Sequence, residues 1–162
     1  MSEYQDRSVP VPGNLPADLQ AQEVPAFEIP SLEVRTLQNL ANELGDSKPV
    51  LRLLSTYLTM LPSRILRISR GLCDNDVDAS MEAVLSLKIS SAMVGARETE
   101  NQCRAMEYMI REDHIDFAVQ ALPALQQYTE RCVAARPQLL GRAWETLGPA
   151  SPGLRLLKPQ AP

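Results

Sequence analysis

Few residues of this chain could do covalent chemistry, and their spacing is unhelpful to it. The one histidine, His114, stands in the run Arg111-Glu112-Asp113-His114, beside two carboxylates, and reads as a solvated turn residue. Cys73, Cys103 and Cys132 are odd in number, about thirty residues apart and without a CxxC pair. They suit neither a metal site nor a disulfide framework, and imply reduced thiols and a cytoplasmic setting. Ser86, Ser90 and Ser91 would need a base to become nucleophiles, and none lies nearby in sequence. Glu98, Glu100 and Glu107 read as carboxylates on solvated helix faces. A Gly-rich phosphate loop and an HExxH pair are both missing, and a triad has no histidine to use. The expectation is therefore no catalytic residue, no metal and no cofactor.

The elements that would position these residues are helices. Aromatic residues make up 4% of the chain against 44% hydrophobic residues overall, so the core must be built from Leu, Val, Ile, Ala and Met. That composition suits helix-on-helix packing. A first helix follows Pro30, with Ser31 as N-cap, Leu32, Leu37, Leu40, Ala41 and Leu44 inward, and Gly45 as its stop. A second starts at Ser47, tolerates Pro49 in its first turn and ends at Gly71. It buries Val50, Leu53, Leu54, Tyr57, Leu58, Leu61, Ile65 and Ile68, with a kink or break expected at Pro62. A third runs from about Asp78 to Val94, capped by Asp76 or Asp78 and stopped by Gly95. A fourth covers roughly Arg97 to Arg111 with Cys103, Met106 and Ile110 on one face.

The next begins near Asp116, with Pro123 at an N1-like place and Leu122, Leu125, Tyr128, Cys132 and Ala135 inward. Beyond Pro137, Leu139, Leu140, Ala143, Trp144 and Leu147 mark a further amphipathic piece. Short connections favour antiparallel neighbours, hence an all-α, up-and-down four-helix bundle over residues 31–147 with an additional N-terminal helix. Residues 1–30, with Pro10, Pro12, Pro16, Pro25 and Pro30, read as a flexible proline-rich arm. Residues 148–162 read as a flexible tail whose Leu154, Leu156 and Leu157 could dock. The net charge of -4 argues against a nucleic-acid or anionic-membrane footprint, and no apolar run approaches the roughly 20 residues of a membrane span. The N-terminus lacks the basic and apolar blocks of a signal peptide.

One stretch is more specific: Leu85-Ser86-Leu87-Lys88-Ile89-Ser90-Ser91-Ala92-Met93-Val94-Gly95-Ala96. It resembles the signature of the histidine phosphotransfer (HPt) family, H-S-L-K-G-S-S-A-x-x-G-A, with two helices before it and one of similar length after Gly95. The resemblance implies a bundle whose third helix presents a phosphorylated histidine to a receiver domain, with a lysine three residues on that helps with phosphate charge. Two positions depart from it. Leu85 stands where the family has its histidine, and Ile89 where it has a glycine that gives the partner room. Leucine offers no lone pair, so ordinary phosphotransfer at this position is excluded by chemistry. The only substitute imidazole would be His114.

Helical spacing makes Val84, Leu87, Ser91 and Val94 the buried stripe of the third helix. Leu85, Ile89, Ala92 and Met93 then lie off it, an apolar strip flanked by Glu82 and Lys88. Hiding one Leu or Ile side chain is worth about 1.5–3 kcal/mol, enough for two of them to anchor a modest interface. Leu85, Lys88, Ile89 and Ala92 are thus the expected partner-binding residues. Lys88 is read as solvated or as a contact to a partner carboxylate, and the three serines as small residues that let helices approach. A receiver or kinase domain, a second copy in a homodimer, or the chain's own Leu139–Trp144 segment or arm could cover the strip. The expected role is a non-catalytic module of two-component signalling. The alternatives are phosphotransfer through an unconventional residue and a self-associating helical adaptor.

Overall fold

The computed structural model describes residues 29–148, so residues 1–28 of the proline-rich arm and all of the tail after Gly148, including Leu154, Leu156 and Leu157, lie outside the described residues. Within them the chain is all-helical: α1 (Val34–Leu44), α2 (Lys48–Cys73), α3 (Val77–Val94), α4 (Arg97–Arg111), α5 (Ile115–Ala134) and α6 (Arg136–Leu147). Helices α2 to α5 form the up-and-down bundle, each packed on the next, with α5 closing back on α2. The α1 helix and α6 pack together and against α2, while α6 also meets α5. No helix of the described residues is long and apolar enough to cross a membrane.

The stripes read from periodicity are the ones that are buried. On α3 these are Val84, Leu87, Ser91 and Val94, on α4 Cys103, Met106 and Ile110, and on α5 Leu122, Leu125, Tyr128 and Cys132. Asp76 caps α3, its side chain accepting a hydrogen bond from the Ala79 N–H at 2.9 Å. Gly95 ends α3 with φ +76°, a left-handed conformation that a side chain resists. It also carries the chain entry: the Glu33 N–H donates to the Gly95 carbonyl at 2.8 Å. A Cβ at position 95 would lie 2.6 Å from the Glu33 carbonyl oxygen.

Several boundaries differ from expectation. Glu33, not Ser31, is the N-cap residue of α1, and its carboxylate accepts from the Thr36 hydroxyl at 3.0 Å. Only Leu37 of the α1 stripe is fully buried, and Leu44 is exposed, because α1 rests on the bundle end by one edge. On α2, Leu53 is half-buried. Pro62 does not break α2, nor does Pro123 start α5; both sit inside continuous helices. Each proline is exposed, while Leu61, Ile65, Leu122 and Leu125 around them are buried, so packing outweighs the lost backbone bond. Trp144 is exposed rather than inward, leaving Leu139, Ala143 and Leu147 as the buried edge of α6.

Gly71 does not end α2, which continues to Cys73. Its place is a helix contact instead: a Cβ there would stand 2.7 Å from Ser80 Oγ and 2.9 Å from Ser80 N. The absence of a side chain lets the end of α2 lie against the start of α3. Gly71→Ala is accordingly expected to destabilise the fold by about 1–3 kcal/mol in urea unfolding, because backbone must shift. The Gly141→Ala exchange on α6, where a Cβ meets nothing within 4 Å, should instead stabilise it by roughly 0.5–1 kcal/mol.

Candidate functional site

The third helix turns the four expected site residues to one side. Residues 85, 89 and 92 recur at i, i+4 and i+7, opposite the buried stripe. Ile89 is 58% exposed and Met93 46%, while Leu85 and Ala92 are half-buried. An apolar strip therefore reaches solvent along α3, centred on Ile89. The Leu139–Trp144 segment packs on α1, α2 and α5 and leaves the strip open.

Lys88 differs from its expected solvated state. Its ammonium pairs with the Glu107 carboxylate of α4, and the two side chains are only 24% and 11% exposed. Glu107 in turn accepts from Arg111 at 2.5 Å. The Lys88 ammonium beside it holds the Glu107 carboxyl below its ordinary value of 4.5; burial opposes that shift and Arg111 adds to it. Glu107 and Glu100 are thus buried ion-pair members, not solvated carboxylates, whereas Glu98 is exposed. Glu100 accepts from Arg97 at 2.9 Å and from Arg104 at 2.8 Å.

The opposite edge of the strip is built by α2. Arg64 reaches across to donate to the Ser86 hydroxyl at 2.8 Å and the Ser86 carbonyl at 3.1 Å. Farther along, Arg67 pairs with Glu82 at 3.2 Å. Ser86 is therefore an acceptor held by a cation, and neither Arg64 nor Ser90, which donate to it, can act as its base. Ser90 bonds back to the Ser86 and Leu87 carbonyls. Ser91 is buried and shares a 2.9 Å hydrogen bond with the Tyr57 hydroxyl. The small size of Ser91 does allow close approach, and the hydroxyl pair fixes the register of α2 against α3 as well.

The remaining chemistry lies elsewhere. His114 is exposed at the corner between α4 and α5, its ring edge-on to Phe117 at 5.6 Å. Burial raises the Cys103 thiol to about 12 and the Cys132 thiol to about 11, so neither supplies thiolate at neutral pH.

This arrangement, four antiparallel helices with small residues and a lysine on the third, can be set against known proteins. The protein-family model of the Hpt domain matches residues 52–135 of the 162. The chain belongs to the Hpt domain family. Among solved structures, the HPT domain from a sensor hybrid histidine kinase of Shewanella is similar at a TM-score of 0.59 and 20% identity. The match covers 68% of this chain and 94% of that one, and at this identity it speaks to the fold. No curated protein sequence matches the chain. The Hpt match begins inside α2 and ends just after α5, so it spans the bundle that carries the α3 strip and leaves α1 and α6 outside.

Sequence reasoning placed Leu85, Ile89 and Ala92 on one face but missed Arg64 and Glu107. The Glu107–Arg111 pair has a visible i, i+4 spacing; the reach of Arg64 to Ser86 depends on helix register and leaves no local sign. The depressed Glu107 carboxyl gives a pH dependence. Its folded value lies below the unfolded one, so its contribution is present above the ordinary value of 4.5 and lost as pH falls through the lowered value. Acid unfolding curves of Glu107→Gln should therefore lose slope below about pH 4.5 relative to the unaltered chain. Parallel curves would remove Glu107 from the acid response.

Proposed function

We propose that this Hpt-family chain is a non-catalytic module of two-component phosphorelay signalling. It docks a receiver or kinase domain through the α3 face without accepting phosphate. The observation that carries this reading is the exposed Ile89 and half-buried Leu85 on the face where the resemblance places an imidazole and a glycine. A hydrocarbon branch at position 85 cannot form a phosphoramidate. Ile89 and Met93 give a partner apolar area to cover, and Lys88, tied to Glu107, marks the edge of that area. The module would tether such a partner or compete with phosphate-accepting ones for it.

Titration with receiver domains from the same cell should find at least one that binds saturably, in one or both phosphorylation states. Ile89→Asp, a change at an exposed position, should weaken that binding by about tenfold or more while leaving the circular dichroism melt in place. No saturable binding by any receiver or kinase domain sinks the reading.

The exposure of His114 favours one rival, phosphotransfer through an unconventional residue. Incubation with a labelled phospho-receiver is expected to leave the chain unlabelled. Label that stays on the chain and disappears in His114→Ala would establish the rival instead.

A further inference from the structure

The α4 helix carries a cationic ridge along the strip. Arg97, Arg104 and Arg111 recur at seven-residue intervals, which places them on one stripe, about 10 Å apart along the axis. Between them Glu100 and Glu107 recur at the same interval, and each carboxylate is shared by two cations: Arg97 and Arg104 for Glu100, Lys88 and Arg111 for Glu107. The two layers differ in depth. The carboxylate side chains are 9% and 11% exposed, while the three guanidinium side chains are 55%, 65% and 61% exposed. A body approaching this side of α3 meets the Arg104 and Arg111 guanidinium groups with their counter-charges beneath, whereas Arg97 also pairs with the exposed Glu33 at 2.7 Å, although the whole chain carries a net charge of -4. On the other flank Arg67 is matched by the exposed Glu82 and Arg64 is half-buried against Ser86, so the exposed cations whose carboxylate partners are buried are those of the α4 side, Arg104 and Arg111.

The Lys88–Glu107 pair joins the ridge to the α3 face, so strip and ridge form one continuous surface. We infer that the partner of the α3 face is a protein with an apolar centre and carboxylates along one edge, seated opposite Arg104 and Arg111. This inference rests on the docking role proposed above and adds the chemistry and orientation of the partner. An Arg that already shares one carboxylate keeps unused donors on its planar fork, so it can accept a second carboxylate without giving up the first. Rim charges of this kind act mainly on the encounter rate and on choice among partners.

The test is a salt series on the full chain with the receiver and kinase domains of the same cell. The affinity of the binder should fall roughly tenfold or more between about 50 mM and 500 mM monovalent salt, mostly through the association rate. The double change Arg104→Glu with Arg111→Glu should produce a comparable loss at low salt, and Arg52→Glu, on a part of α2 outside the ridge, should not. Since charge reversal beside Glu100 and Glu107 could unsettle α4, Arg104→Gln with Arg111→Gln serves as the milder pair, and the salt series needs no variant. Binding that is lost on Ile89→Asp but indifferent to salt and to both arginine pairs overturns the acidic-edge inference and leaves the docking role intact. Absence of any binder overturns both.

Discussion

The burial of a narrow stripe on α3 governs the rest of the molecule. Val84, Leu87, Ser91 and Val94 are each enclosed by the neighbouring helices, and a helix cannot rotate to bury a second face without exposing the first. Once that stripe is satisfied, Ile89 and Met93 have nowhere to go but outward. The Tyr57–Ser91 hydrogen bond makes the choice stricter, because a buried hydroxyl pair that lost its register would leave two polar groups unsatisfied. The apolar strip follows from the core and its packing. Which side chains a partner would meet on this face is decided by which residues that core pushes to the surface.

Charge is arranged with similar economy. Two of the carboxylates of α4 sit low, Glu107 holding Lys88 of α3 and Arg111, and Glu100 holding Arg97 and Arg104, in fixed places. Exposed ion pairs are worth little in stability, and nearly covered ones are costly to break from one side only. The α4 pairs belong to the second kind by depth of the carboxylate, and to the first by freedom of the arginines. Their effect is therefore to fix where positive charge stands, more than to hold the bundle together.

Much of this was legible in the sequence. Periodicity located α3 and α4 nearly to the residue, and Asp76 and Gly95 bounded α3 as their chemistry suggests. It misjudged residues whose role depends on a neighbour distant in sequence. Gly71 looked like a stop and is a helix contact, since Ser80 is what it meets. Pro62 and Pro123 looked like interruptions, but strong apolar packing on either side carried the helices through. Lys88 looked free because Glu107 is nineteen residues away. Local rules describe a helix well and say nothing of which helix lies beside it.

The position of Trp144 has a consequence for how this protein can be watched. It is the sole tryptophan and is already exposed on α6, while Tyr57 and Tyr128 are enclosed within the bundle. Indole emission starts from a solvated environment, so it is nearly blind to melting of the four central helices. Tyrosine near-ultraviolet dichroism carries the tertiary signal instead, and a denaturation followed by fluorescence alone would report the corner between α1 and α6.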